Sequence, residues 1–381
     1  MTRKNLRSAL LSVSAVFTLL SCQSPQLDAI GETYLDLPAD RYQYNAIGDS
    51  TNAVSTLGRV LFYDRQMSLN NSISCASCHK QSAGFADNQQ FSRGFEGRLT
   101  TRNSMPVQNL VSFSGVFDVM PNSPSFGFGT HFFWDGREQN LQNLVLQPVG
   151  NHIEMGISDI NALTQKLSAL PYYSTLFQDA FGSAEITSDR ISIAISTFAS
   201  AINTNNTKFD LYNRSRFDPD FVAALSQPVF NSLETEGFLL FQDKYDCNSC
   251  HQVQSPNGYQ MAGTFANIGL DNEYADVGLQ NVTGKVEDAG KFKIPSLRNV
   301  AFTAPYMHDG RFKTLEDVIG HYSEGLANHP NLDPKLKDES GNARSMNITA
   351  HERDAIIAFL HTLSDESVIT DPKFSNPFKV K

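Results

Sequence analysis

Cys75-Ala-Ser-Cys78-His79 and Cys247-Asn-Ser-Cys250-His251 are the two stretches that decide how this chain folds. Each holds two thiols separated by two residues, followed at once by an imidazole. That is the attachment pattern of c-type haem. Two thiols add to the two vinyl groups on one edge of the porphyrin, and the adjacent His reaches back under the ring to ligate iron. A structural zinc site would bring its Cys or His pairs close together in sequence, whereas these pairs lie far apart and each has its own His. A thioredoxin-type motif needs a βαβ setting, which neither pair has. Two covalently bound haem c groups are expected, carried by Cys75, Cys78, Cys247 and Cys250, with His79 and His251 as iron ligands.

Outward from these motifs the apolar periodicity is helical. Val54, Leu57 and Leu61 mark a helix just before the first motif. Leu141, Leu144 and Val145 share a face over 141–147. Ser158 can cap a helix to about Leu170, and Ser188 another through Ile202. Asn231 or Ser232 precedes a helix through Phe241, just before the second motif. Thr314 caps Leu315 to about Ser323, and Thr349 caps a last helix with Ala355, Ile356, Phe359, Leu360 and Leu363 inward. Long Gly-, Ser-, Asn- and Pro-rich loops cover 81–130 and 252–300, lengths that suit wrapping a large cofactor. The order helix, motif, long loop, later helices occurs twice. The expected fold is all-α, with two cytochrome c-like domains at 45–205 and 225–370, each wrapping one haem. Residues 206–224 form a polar linker and 371–381 a tail.

The chain has 381 residues, enough for about two domains. Lys+Arg number 30 against Asp+Glu 40, a net charge of -10. A field of that sign repels phosphate backbones and disfavours a nucleic-acid partner. Five cysteines are too few for a disulfide scaffold. Arg3, Lys4 and Arg7 precede an apolar run from Ala9 to Leu20, too short to span a bilayer but laid out as a secretory signal. Leu19-Leu20-Ser21-Cys22 resembles a bacterial lipoprotein box, with residues 1–21 removed, Cys22 lipidated and 22–44 a tether. An ordinary cleaved signal with a chance Cys is the alternative. Export agrees with covalent haem, which is attached outside the cytoplasm. A periplasmic, lipid-anchored protein is expected.

Further motifs surround the two sites: Phe133-Trp134-Asp135-Gly136-Arg137 between them, then Pro295-Ser296-Leu297-Arg298-Asn299 and Ala304-Pro305-Tyr306-Met307-His308-Asp309-Gly310. In this combination the chain resembles the bacterial di-haem cytochrome c peroxidase family, which includes the MauG-type enzymes, over about residues 45–365. The resemblance implies that the N-terminal haem reacts with peroxide and the C-terminal haem receives and stores electrons. It places Trp134, the only Trp, between them as a relay; a buried indole is also an ordinary core anchor. It maps Pro148 and Glu154 to distal-pocket positions. A carboxyl near the open face of a haem, its pKa shifted by burial, can move a proton between peroxide oxygens. Glu154 is the expected acid–base group and His152 a rival. Where the family often has Gln, this chain has Leu144.

Many family members block the first iron with a distal His until the second is reduced. Counting back from Arg102-Asn103 lands on Phe95, which cannot ligate, and no His lies between Lys80 and Thr130. An open first haem is expected, with Met105 and Met120 as unmarked alternatives. For the second haem the family's Met position holds Tyr322, the MauG-type arrangement; Met307 or His321 are the other candidates. The resemblance also implies one calcium ion at Asn103, Thr303 and Pro305, through oxygens that suit it. Asp271, Glu273 and Asp276 form an acidic group more in keeping with a solvated loop.

The expected function is reduction of hydrogen peroxide to water with electrons from a small periplasmic cytochrome c or cupredoxin. One alternative is a MauG-like use of the stored equivalents to oxidise aromatic residues of a partner protein. The other is a non-catalytic di-haem electron carrier, which would have two six-coordinate irons.

Overall fold

The computed structural model describes residues 33–35, 37, 50–110, 131–253 and 265–380. The signal segment 1–21, Cys22, most of the tether and Met120 lie outside the described residues. The architecture is mostly helical. In chain order the helices are α1 (Ser50–Tyr63), α2 (Cys75–Cys78), α3 (Leu141–Gly150), α4 (Ile160–Ser168), α5 (Pro171–Phe181), α6 (Ser188–Ala201) and α7 (Lys208–Phe217). They continue with α8 (Pro219–Ala223), α9 (Ser232–Leu239), α10 (Asn248–His251), α11 (Gln280–Thr283), α12 (Leu315–Glu324), α13 (Ala350–His361) and α14 (Glu366–Thr370). Two small antiparallel sheets pair β1 (Thr33–Leu35) with β4 (Phe378–Val380) and β2 (Phe265–Ala266) with β3 (Phe292–Lys293).

Several helix starts follow from reciprocal capping. Asn231 and Glu234, Thr314 and Asp317, and Thr349 and Glu352 each exchange side-chain and backbone hydrogen bonds at the first turn. Two expected caps shift by one residue. Asp159, not Ser158, accepts from the Asn161 N–H, and Thr187, not Ser188, accepts from the Arg190 N–H. Ser158 lies one residue outside its cap, whereas Ser188 is already the first residue of its helix.

Buried hydrophobics gather into two clusters. The first joins α1, α5 and α6 through Leu57, Leu61, Phe177, Ile191 and Phe198. The second joins α7, α9, α12 and α13 through Phe209, Phe238, Ile319 and Phe359. The same crossing builds each. A Cβ on Gly58 of α1 would lie 1.9 Å from the Ala194 carbonyl oxygen and 2.8 Å from Phe198 Cβ in α6. A Cβ on Gly237 of α9 would lie 1.9 Å from the Ala355 oxygen and 3.0 Å from Phe359 Cβ in α13. In both lobes the helix before the haem motif meets the lobe's last long helix backbone to backbone, which only glycine permits. Gly237→Ala is therefore expected to lower stability by at least about 1–3 kcal/mol through overpacking. A urea titration followed by circular dichroism checks this; an unchanged midpoint would mean that the helices do not touch there.

The expected linker is not a loop. Thr207 and Asp210 form a capping box that starts α7, and Phe209 is fully buried in the second cluster. Arg298 grips Asp210 through Nη1 and Nη2 at 2.8 and 2.6 Å and also donates to the Thr204 carbonyl at 2.7 Å. Phe209 and Asp210, inside the stretch read as linker, thus pack against the second cluster and Arg298. The expected tail and tether also differ. α14 and β4 leave the second lobe and run back over the first. Val368 and Phe374 enter its core, Arg59 Nε donates to the Ser375 carbonyl at 2.6 Å, and Gln81 Nε2 donates to the Val368 and Asp371 carbonyls. β1, inside the stretch read as a tether, pairs with the end of this strap. None of these contacts is local in sequence, so no periodicity reports them.

Candidate haem-binding and distal sites

At the first motif, α2 is a single turn that places Cys75 and Cys78 on one face, and the His79 N–H closes it on the Cys75 carbonyl at 2.9 Å. The His79 ring is fixed from behind. Its Nδ1 lies 3.0 Å from the Phe85 carbonyl, which makes Nδ1 the donor and leaves the Nε2 lone pair free. Burial lowers the His79 pKa, which keeps the imidazole neutral and able to ligate. Burial, with Cys78 nearby, pushes the Cys75 thiol up to about 12, and burial pushes Cys78 to about 11. Neither sulfur is in a disulfide. These are protected thiols, suited to a covalent thioether rather than to redox exchange.

A cavity of about 690 Å³ opens beside this motif. Its lining includes His79, Leu144, Pro148, Glu154 and Trp134. Leu144 and Pro148 lie one turn apart on α3. The chain then turns at Asn151, which accepts from the Met155 and Gly156 N–H groups and donates from Nδ2 to Glu154 Oε1 at 2.8 Å. Burial raises the Glu154 pKa above the usual carboxylate value, against the opposing pull of Arg137 and the Asn151 hydrogen bond. His152, the rival, is exposed and does not line the cavity. Phe95 stands behind Glu154, not in the cavity: its N–H donates to the Glu154 carbonyl at 2.8 Å and its ring packs on Gly156. Met105 lines the cavity, but its backbone approaches the His79 ring, which places it on the proximal side. Among the described residues, His79 is the only histidine on this wall.

The second motif repeats the arrangement. The His251 N–H donates to the Cys247 carbonyl at 3.0 Å, and its Nδ1 lies 3.1 Å from the Pro295 carbonyl. Burial pushes His251 down to about 4 and Cys247 up to about 12, and raises Cys250. A second cavity, about 200 Å³, is lined by His251, Met307, Tyr322 and Met346 among others. The Tyr322 hydroxyl has no hydrogen-bond partner among the described residues, and burial raises its pKa. His321 does not line this cavity, and its Nε2 is held by the Ile268 carbonyl at 2.9 Å. Met346, in the loop before α13, was not marked by any motif.

Trp134 borders both cavities, as do Asn103, Pro106 and Lys293. The indole Nε1 donates to the Asn103 carbonyl at 2.9 Å, and the Trp134 carbonyl accepts from the Lys293 N–H at 2.8 Å. Arg102 locks this junction. It donates to Asp135 at 2.6 Å and to both oxygens of Asp276 at 2.6 and 2.8 Å, tying the lobes beside Trp134. The acidic loop read as solvated is paired: Asp276 with Arg102, and Asp271 with Arg311. Asn103, Thr303 and Pro305 all border the second cavity. The Asn103 Nδ2 is spent on the Gln89 and Gln90 carbonyls, so only its Oδ1 is left as a side-chain acceptor. Among the described residues there is no group of three His, Cys, Asp or Glu able to hold a metal, so a cation here would rest on neutral oxygens.

The residues present fit two haem groups. In the second cavity His308 Nδ1 and Arg344 Nε are buried without partners among the described residues. Such orphaned polar atoms cost about 1–3 kcal/mol each unless a partner fills the space, and haem carries two carboxylates that would pair with the Arg344 N–H and with a His308 that carries its proton on Nδ1. In the first cavity the Lys293 ammonium has no hydrogen-bond partner among the described residues, and burial lowers its pKa to about 8. Sequence reasoning missed Lys293, His308 and Arg344 because only the folded chain places them at a cavity.

The family model for di-haem cytochrome c peroxidase matches residues 52–217. The methylamine utilization protein MauG of Methylorubrum extorquens is 30% identical over 329 residues, covering 83% of this chain and 80% of that protein. The cytochrome c551 peroxidase of Nitrosomonas europaea is 32% identical over 269 residues, covering 70% and 71%. A crystal structure of a MauG-like protein associated with microbial copper homeostasis superimposes with a TM-score of 0.69 at 32% identity, covering 90% of this chain and 98% of that one. With both C-x-x-C-H sites, the junction tryptophan and relatives of this likeness along most of its length, the chain belongs to the di-haem cytochrome c peroxidase family, which includes MauG.

Proposed function

We propose that the protein is an exported di-haem oxidoreductase that reduces hydrogen peroxide to water. Each lobe wraps one haem c: Cys75 and Cys78 hold the peroxidatic group, Cys247 and Cys250 the electron-transfer group. The observation that carries this is a carboxyl with a raised pKa, Glu154, facing the His79 cavity, where no second histidine blocks the iron. A bound haem supplies an iron that coordinates peroxide and accepts its oxidising equivalents. Glu154 takes the proton from the bound peroxide oxygen and delivers it to the leaving one, so that water departs. Two electrons and two protons then balance the second water. Asn151 holds Oε1 and so orients the other oxygen. The Phe85 carbonyl keeps His79 in its ligating tautomer. Pro148 and Leu144 leave that wall without a competing donor. Trp134 passes charge between the cavities.

Electrons come from a small periplasmic cytochrome c or cupredoxin. Asn103, Thr303 and Pro305 hold a calcium ion at the lobe junction, and a lipidated Cys22 anchors the enzyme to the membrane. The described residues contain no helix long and apolar enough to cross one. A second reading is favoured by Tyr322 on the wall of the second cavity. There the stored equivalents oxidise aromatic residues of a partner protein. The test is electron paramagnetic resonance of the oxidised holoprotein, before and after one equivalent of peroxide. A high-spin and a low-spin signal, both lost without prior reduction, are expected. Two low-spin signals indifferent to peroxide would replace this function with reductive gating or plain electron transport.

A further inference from the structure

One buried polar cluster has no part in the peroxide chemistry above. Asp64, between α1 and the turn at Arg65–Met67, is 5% exposed. Its Oδ2 accepts from the Tyr173 hydroxyl at 2.7 Å and from the Tyr172 hydroxyl at 2.8 Å. Its Oδ1 accepts from the Gln66 N–H at 2.8 Å. Lys166, whose Nζ donates to the Ser68 carbonyl at 2.7 Å, adds a positive charge that acts on Asp64. The two phenol rings sit 4.7 Å apart, centroid to centroid. Tyr173 is fully buried in the cluster against which Cys75 packs, and Tyr172 is half-buried at the surface. Capping the turn at Arg65–Met67 needs only Oδ1 and the Gln66 N–H. Two tyrosines on one carboxylate oxygen, ordered from a haem-bearing cysteine to solvent, exceed that need.

We infer that Tyr173, Tyr172 and Asp64 form a second redox site, a proton-coupled relay that carries oxidising equivalents from the first haem to a one-electron donor at the surface. This rests on the peroxide function, which supplies the oxidant. In the first step the Tyr173 O–H bond breaks; its electron reduces one equivalent left at the haem, and its proton passes to Asp64 Oδ2. In the second step Tyr172 gives an electron to the Tyr173 radical, Asp64 returns its proton to Tyr173, and the Tyr172 proton takes its place on Asp64. A small phenolic or other one-electron reductant at the surface then restores Tyr172, which recovers the proton from Asp64. The hydrogen bonds make each proton transfer a move along an existing contact, so no charged phenol forms in the buried site.

The test uses holoprotein grown with ring-deuterated tyrosine. It is mixed with one equivalent of peroxide, freeze-quenched, and read by electron paramagnetic resonance and haem absorption together. The expected result is a radical signal narrowed by deuteration, reduced in Tyr172→Phe and in Tyr173→Phe, and lost in the double variant. Asp64→Asn, which keeps the shape but takes no proton, is expected to reduce it as well. Each Tyr→Phe change removes one oxygen, so haem loading is expected to be preserved. A haem that reacts with peroxide but yields no tyrosine signal, or a signal that survives the double variant or is undiminished in Asp64→Asn, overturns the relay and leaves the peroxide function standing. A haem that does not react removes both.

Discussion

Glu154→Gln is expected to slow peroxide turnover by about 10²–10⁴-fold, the usual contribution of a positioned acid–base group. The amide keeps the size of the side chain and can still accept from Asn151 Nδ2 through its oxygen. It cannot receive a proton. The pH profile gives a sharper signature than the rate alone. Burial raises the Glu154 pKa above its ordinary value, with Arg137 and Asn151 pulling the other way. The group must be ionised to act as a base. The wild-type rate is therefore low at acid pH, rises as pH passes through that raised pKa, and then levels. In Glu154→Gln this limb disappears. His79 is a poor candidate for this limb, because its Nδ1 is occupied by the Phe85 carbonyl and burial shifts its pKa downward, opposite to Glu154. Stopped-flow measurement of the first haem's absorption against peroxide, from acid to neutral pH, checks both the size and the limb. A variant within a few-fold of wild type, with the limb intact, would move the proton transfer to another group.

What the sequence makes legible is what short spacing controls. The two haem motifs are complete within five residues each, so nothing about the fold is needed to see them. Thr314-x-x-Asp317 and Thr349-x-x-Glu352 announce helix starts for the same reason: both partners of the cap lie in one turn. α5 starts on Pro171, where the missing N–H at the first position of a helix costs nothing. α7 reads as linker because its composition is mostly polar and it lacks a continuous apolar stripe, with Leu211 and Phe217 left exposed. Its cap, Thr207-x-x-Asp210, was there to be read, and its hold on the lobe comes from Phe209 and from Arg298, far along the chain. The strap from α14 to β4 has no sequence signal, because its partners are Arg59, Tyr63 and Gln81. The candidate sites divide in the same way. Cysteines and proximal histidines are local facts. That Glu154, Pro148 and Trp134 border one cavity with His79, and that Phe95 stands behind Glu154, are facts of tertiary packing.

Tyr322→Met is expected to raise the midpoint potential of the second haem by a substantial part of the ~0.8 V range that axial ligands command. Thioether sulfur favours ferrous iron, while phenolate oxygen favours ferric and more oxidised states. The surroundings of Tyr322 make a metal partner the economical solution. Its hydroxyl meets the cavity beside His251 with no hydrogen-bond partner among the described residues. Burial, reinforced by Cys247 and Cys250, raises its pKa, so a phenolate stands there only if a neighbouring cation compensates it. A ferric ion held by His251 would be such a cation, and Cys247 and Cys250 would carry no charge once joined to a porphyrin. Spectroelectrochemical titration of wild type, Tyr322→Met and Tyr322→Phe reads the effect. A rise in both variants, with a sulfur-to-iron charge-transfer band only in the Met variant, identifies the tyrosine oxygen as the sixth ligand. Potentials unmoved in both variants, and lowered by Met307→Leu, would assign the position to Met307, which borders the same cavity on a turn with φ of 74°. The ligand sets what the second haem does. A thioether ligand would suit the second site to refilling the first one electron at a time. A phenolate from Tyr322 would suit it to keeping an oxidising equivalent until a partner protein becomes the reductant.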